Sequence, residues 1–194
     1  MPATAFQAAR RLNPAAIAAA RDLLGMTLAS DLGGARVSGI IVETEAYLGV
    51  HDPASHAWRG RRHRLNLGIW GPTNAWYVYR SYGIHWCVNL VVTAGENPGA
   101  VLIRAMLPHV GLETIRERRR GVRDRDLANG PGKVGQALAV TGEHDGMLNA
   151  PDAPLRLEPR IERVSSARIL VTPRVGISRA VDWPLRFLLR PPTG

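Results

Sequence analysis

The sequence predicts a mixed α/β (α+β) domain, rich in strands and flanked by short helices. Three observations carry this. A chain of 194 residues is long enough for one core that removes roughly 70% of the unfolded surface from water. β-branched and aromatic runs recur along it, each bounded by Gly or Pro. The helical patterns between those runs are short, and neither a repeat nor a linker divides the chain, so one domain is the simplest account.

The elements follow in order. Residues 1–12 read as a flexible N-terminal tail and 13–194 as the domain. Asn13-Pro14 supplies an N-cap and a first-turn proline for the helix AAIAAARDLL, which stops near Gly25. Gly33-Gly34 marks a turn into the strand VSGIIVETEAYLG. Residues 50–75 mix Arg, His and Pro without a clean period and read as a long structured loop, where function tends to sit. AWYVYRSYGIHWCVNLVVTAG reads as a β-hairpin turning at Ser81-Tyr82-Gly83, and GAVLIRAMLP as another buried strand. A helix starts at Leu112, with Ile115 on the same face, and dissolves into an Arg/Asp run that reads as a solvated face. GPGKVGQALAV is a glycine-rich turn entering an apolar helix, and the tail alternates short strands with turns in LRLEPR, ARILVTPRVGI and LRFLLR.

Composition narrows the chemistry. Lys and Arg together number 25 against 16 Asp and Glu, for a net charge of +9, and the one Lys is Lys133. Such an Arg surplus has two readings, a polyanionic partner such as nucleic acid or a GC-biased codon supply. Cys87 is the sole cysteine, which excludes an internal disulfide, a multi-cysteine zinc site and an iron–sulfur cluster, and fits a reducing, intracellular compartment. No apolar run approaches the roughly 18 residues of a membrane span.

Several residues could carry chemistry. Glu43, Glu45 and Tyr47 alternate in a strand and so share one face, where two carboxylates and a phenol could activate a water or pair with arginines. His51, Asp52, His56 and His63 invite a metal reading, although their spacing matches no one-face pair; pocket wall or core histidine are the other readings of His56. Tyr77 and Tyr79 share a strand face. Tyr82 stands at the hairpin tip, either a wedge for a base stack or a ring folded onto its own turn. Asn89 is the one amide in an apolar strand, bracing a loop or reading a ligand edge. Gly130-Pro131-Gly132-Lys133 opens a helix as a phosphate site would, or simply starts it.

Taken in order, VETEAYLG, DPASHAWRG, AWYVYRSYGIHWCVN and NGPGKVGQALAV resemble the alkyladenine (3-methyladenine) DNA glycosylase family, from about Arg11 to Arg190. The resemblance implies a curved, mostly antiparallel sheet with surrounding helices and a protruding β-hairpin that carries Tyr82 into the DNA minor groove. By the same resemblance Glu45 is the general base that activates the water attacking the deoxyribose C1′. Arg104 and the backbone carbonyl of Val175 hold that water. Tyr47, His56 and Tyr79 wall the pocket for the extruded base, Asn89 discriminates against the 2-amino group of guanine, Tyr82 fills the hole in the duplex, and Gly132 with Lys133 contacts a phosphate.

The implied activity is monofunctional hydrolysis of alkylated purines, 3-methyladenine and 7-methylguanine, from duplex DNA to leave an abasic site. Hypoxanthine and ethenoadenine are left open. No metal, other cofactor or obligate protein partner is expected; damaged double-stranded DNA is the partner and a monomer the working form. The chain departs from the family's usual Thr-Pro-Arg with His63-Arg64-Leu65, from its Met-Phe with Ile69-Trp70, and from the Tyr of some members with His85. Two rivals remain at this level: a non-catalytic nucleic-acid-binding module using the basic surface and Tyr82, and a metal-dependent hydrolase using His51, Asp52 and His56.

Overall fold

A computed structural model describes residues 6–7, 10–11, 13–160 and 162–190. Its centre is an eight-stranded sheet in which all pairings are antiparallel. The strands are β1 (Thr27–Ser30), β2 (Val37–Tyr47), β3 (Trp76–Ser81), β4 (His85–Ala94), β5 (Asn97–Val110), β6 (Leu155–Glu158), β7 (Ile169–Thr172) and β8 (Arg186–Leu189), and the main path runs β3-β4-β5-β2-β1-β6. One edge of β2 serves two partners: β1 along residues 37–40 and β8 along residues 43–45, with β7 beyond β8. The sheet therefore forks at the point where the acidic residues of β2 begin. Mixed α/β architecture with a curled antiparallel sheet agrees with the sequence expectation.

Among the described residues, the helices α1 (Pro14–Asp22), α2 (Leu112–Arg118) and α3 (Pro131–Ala137) flank the sheet. α1 starts as its sequence dictates, with the Asn13 Oδ1 accepting the Ala16 N–H at 3.0 Å and proline in the first turn. The same amide donates to the Val92 and Asn97 carbonyls, so one cap also fastens the helix to the β4–β5 hairpin. Gly25, at φ +81°, follows the helix end. The four-residue strand β1 was not marked by any alternation, since all four of its residues are buried. Of the residues expected as a tail, 1–5, 8–9 and 12 lie outside those described; Phe6–Gln7 and Arg10–Arg11 are helical, and the Phe6 ring lies 5.3 Å from that of Trp183.

The two faces of the sheet differ. One carries the main core, with Leu28, Ile41, Ile103, Val88, Trp76 and Phe187 packed beneath α1 and α3. The other carries a smaller cluster of Ala57, Ile69, Ala75, Tyr77, Val91 and Ala100, with Tyr79 and Trp70 at its margin. Residues 50–75 cross this second face as a chain of 3-10 turns, Gly49–His51, Trp58–Gly60 and Leu67–Trp70. A structured loop over the smaller apolar cluster leaves room for a cavity there.

Candidate active site

Register builds the site. Tyr77 pairs with Asn89, Asn89 with Leu102 and Leu102 with Glu45, and residues directly opposite in a sheet share a face. A single row across four strands thus sets Tyr77, Asn89 and Glu45 on the side of the smaller cluster, with Tyr79 and Tyr47 two residues along their strands. Two irregularities refine this. Val42 is an extra residue on β2 between the Ile41 and Glu43 pairs, and Arg104 an extra residue on β5 between Ile103 and Ala105. A bulge re-aims the side chain it carries, and Arg104 reaches both acids: its Nε donates to Glu43 Oε1 at 2.9 Å and its Nη1 to Glu45 Oε2 at 3.4 Å.

Glu45 is fully buried, and three donors converge on it. The Val175 N–H donates to Oε1 at 2.8 Å, and the Tyr47 hydroxyl and Arg104 donate to Oε2. Burial, then the Glu45 charge, pushes the Tyr47 phenol far above its ordinary pKa, so it stands as a proton donor to the carboxylate. Burial opposes the Arg104 cation, but Glu45 and Glu43 outweigh it and raise its pKa. The bond that brings Val175 to Glu45 comes from its N–H; the carbonyl is the atom the resemblance singles out.

Beneath this group lies an ion pair that sequence reasoning did not reach. Arg174 donates to both oxygens of Asp52, at 2.5 and 2.9 Å, and to the Ala46 carbonyl at 3.0 Å, with both side chains fully buried. Asp52 also accepts the N–H groups of Leu48 and Ala54. The guanidinium carbon sits 4.7 Å from the centroid of the Tyr47 ring. Arg174 therefore ties the segment carrying Val175 to the end of β2 and packs on a face of Tyr47. Asp52, a candidate metal ligand by spacing, has both oxygens engaged in this pair. His51 is exposed and His56 is bonded elsewhere, and among the described residues no group of three or more His, Cys, Asp or Glu could hold a metal ion.

A cleft of about 1060 Å³ opens beside Glu45, lined by Tyr47, His56, Tyr77, Tyr79, Asn89 and, at its mouth, Tyr82. The His56 ring meets that of Tyr79 edge to face at 4.5 Å, and its Nδ1 lies 2.7 Å from the Tyr77 hydroxyl. Tyr77 is thus a working part of the wall; its only sequence signal is that it shares a strand face with Tyr79. Burial, reinforced by His63, lowers the His56 pKa, and burial raises those of Tyr77 and Tyr79, so the wall is uncharged at neutral pH. Asn89 braces as well as lines: its Nδ2 donates to the carbonyls of Tyr77 at 3.0 Å and Cys87 at 3.4 Å.

Tyr82 is 88% exposed. Tyr82 and Gly83 hold φ +50° and +68°, and the Ile84 N–H donates to the Ser81 carbonyl, the pattern of a type I′ turn. The ring stands in solvent on the strained side of the backbone map and is not folded onto its own turn. Gly132, in the first turn of α3, packs against this hairpin: a Cβ there would lie 2.6 Å from the Cβ of His85. Lys133 donates to Asn129 Oδ1 at 2.6 Å. The structure brings Gly132 and Lys133 to the hairpin side of the molecule, while Glu45, Arg104, Val175, Tyr47, His56, Tyr79 and Asn89 form one continuous group.

Comparison with known proteins places this geometry. The family model for methylpurine-DNA glycosylase matches residues 10–192. A protein of Agrobacterium fabrum named "Putative 3-methyladenine DNA glycosylase" is 47% identical over 173 residues, covering 89% of this chain and 82% of that one. Proteins of the same name from Granulibacter bethesdensis and Nitrosospira multiformis are 48% and 45% identical, each over 87% of this chain and over 76% and 82% of their own. No described helix is long and apolar enough to cross a membrane. By sequence and by family model alike, the chain belongs to the methylpurine-DNA glycosylase family.

Proposed function

We propose that the chain is a monofunctional glycosylase that extrudes 3-methyladenine and 7-methylguanine from duplex DNA and hydrolyses the bond to deoxyribose, leaving an abasic site. The observation that carries the reading is a buried carboxylate, Glu45, set beside a cleft walled by aromatic side chains and rimmed by arginines, on a protein of net charge +9. A carboxylate offers about four acceptor positions, and protein donors occupy three. The remaining one is assigned to the attacking water, with Glu45 as the base that takes its proton and Arg104 and the Val175 carbonyl as the groups that hold it. Burial keeps bulk water from the carboxylate, so the reaction waits for a sugar presented at the site.

The substrate roles follow from the same geometry. An extruded purine enters between Tyr47 and the His56–Tyr79 pair; an alkylated, cationic purine is both attracted by aromatic faces and a good leaving group. Asn89 meets the base edge and disfavours a 2-amino group. Tyr82, already displayed on the hairpin, occupies the vacated stack, and Gly132 with Lys133 contacts a phosphate. Lys133 is the only lysine and lies at α3, away from the cleft lining, which supports hydrolysis by water over an amine-linked intermediate and strand cleavage.

The test is single-turnover release of free base from methylated duplex DNA, with chelator present, by the wild type and Glu45→Gln. The expected result is release by wild type, an alkali-labile site in the DNA, and loss of release in Glu45→Gln with DNA binding kept. Absence of release by the wild type, with equal DNA binding by both proteins, overturns the catalytic reading in favour of a binding module.

A further inference from the structure

We infer that Leu65 is a second apolar wedge, seated in the complex against the DNA beside the extruded nucleotide, with Arg64 on an adjacent phosphate. The inference rests on the glycosylase reading above and concerns the segment His63-Arg64-Leu65. Leu65 is 68% exposed, yet it lines the same cleft as Tyr82, together with Arg61, His63 and Arg64.

The loop that displays it is pinned. Asn66 is fully buried, accepts the His63 N–H at 2.9 Å and donates to the carbonyls of His56 at 2.9 Å and Arg61 at 3.1 Å. The Asn66 N–H returns to the His63 carbonyl, and the Leu65 N–H to the His63 Nδ1. The indole of Trp70 donates to the Arg61 carbonyl, and the Arg62 guanidinium stacks on the Trp70 ring at 4.0 Å. Gly68, two residues past Asn66, fits under Asp145, where a Cβ would meet the carboxylate. A leucine on a backbone so well hydrogen-bonded is presented outward by the fold, as Tyr82 is across the cleft.

Charge selects the occupant. No acidic residue occurs between Asp52 and Glu96, whereas Arg59, Arg61, Arg62, Arg64 and Arg80 all fall there. An apolar tip flanked by guanidiniums, on the rim of a cleft whose lining holds four arginines against the one carboxylate of Asp145, fits a nucleic-acid groove, in which apolar wedges insert at base steps and arginines take the phosphates.

The test titrates the full chain with two duplexes, one containing a single tetrahydrofuran abasic analogue and one undamaged, over a series of salt concentrations. Leu65→Ala is expected to bind the abasic duplex about 5- to 20-fold more weakly, from the apolar area no longer covered, with the slope of log K against log salt unchanged. Arg64→Gln is expected to lower the magnitude of that slope by about 0.9. Both positions are exposed, and matching thermal melts confirm folding. If both variants bind both duplexes as wild type does, the wedge is refuted while base release by wild type keeps the glycosylase reading intact. If wild type neither releases base nor prefers the abasic duplex, both readings fall.

Discussion

Removing the Asp52 carboxylate tests whether the buried pair with Arg174 holds the site together. Asp52→Ala deletes four accepted bonds: two from the Arg174 guanidinium and one each from the Leu48 and Ala54 amides. The guanidinium keeps the Ala46 carbonyl but stays in the interior as an uncompensated cation, a loss of about 3–5 kcal/mol. The buried Leu48 amide loses its acceptor as well, which puts the variant toward the upper end of that range. Arg174→Met is milder, because Asp52 then retains both backbone donors. The double variant Asp52→Ala/Arg174→Met is expected to be about 1–3 kcal/mol more stable than Asp52→Ala alone, since the stranded charge has gone. Equilibrium urea unfolding measures all three, and single-turnover base release reports whether Val175 still meets Glu45. A loss under about 1 kcal/mol for Asp52→Ala, or a double variant whose loss equals the sum of the singles, would refute the reasoning.

Three further outcomes are expected. Gly135→Ala places a Cβ 2.1 Å from the Trp86 carbonyl oxygen; backbone cannot step aside as a side-chain tip can, so a loss of about 1–3 kcal/mol is expected in thermal or urea unfolding. His56 has a lowered pKa in the fold, from burial and then His63, so its stability contribution is complete above the ordinary imidazole value and is lost as the pH falls through the folded value. Release of a cationic purine should decline over the same interval as a charged His56 repels it, and a pH–rate profile of His56→Gln should lack that component; an unchanged profile removes His56 from the wall. Tyr82→Gly relieves a left-handed backbone at a non-glycine position, so the melting temperature should hold or rise while base release from duplex DNA drops and binding preference for an abasic duplex weakens; lost stability would show instead that the exposed ring packs on the protein.

The parts of the fold legible in the sequence are those set by local rules. Asn13-Pro14 starts a helix because cap and proline act within one turn, and Tyr82-Gly83 turns a hairpin because aromatic strands flank a glycine. The shared face of Glu43, Glu45 and Tyr47 follows from period-two alternation and is realised in the bonds of Arg104 and Tyr47. The joining of Glu45 to Arg104, Val175 and the aromatic wall came from the resemblance to the family, since spacing along the chain does not carry it. Neither bulge has a sequence mark: Val42 and Arg104 are ordinary strand residues until β2 and β5 are laid side by side. Arg174 is one of 24 arginines, and only tertiary placement separates a buried guanidinium under Tyr47 from the exposed ones of the 59–64 loop.

That separation has a functional logic. Around Glu45, three carboxylates, Glu43, Glu45 and Asp52, meet three guanidiniums, those of Arg104, Arg174 and Arg186, and Glu43 Oε1 alone accepts from Arg104 at 2.9 Å and Arg186 at 2.6 Å. The formal charge of the inner site therefore cancels, although the protein carries +9. Glu43 occupies the two arginines that flank it, which leaves Glu45 to Tyr47, Val175 and a single long bond from Arg104. Part of the surplus positive charge lies on the rim, at Arg61, Arg64, Arg80 and Arg179, where it can act on a phosphate backbone over a Debye length of roughly 10 Å in 0.1 M salt. The proposed function thus assigns affinity for DNA and choice of base to different residues. Rim substitutions should change the salt dependence of binding with the bound-state rate kept, and substitutions around Tyr47 should change the rate with the salt dependence kept.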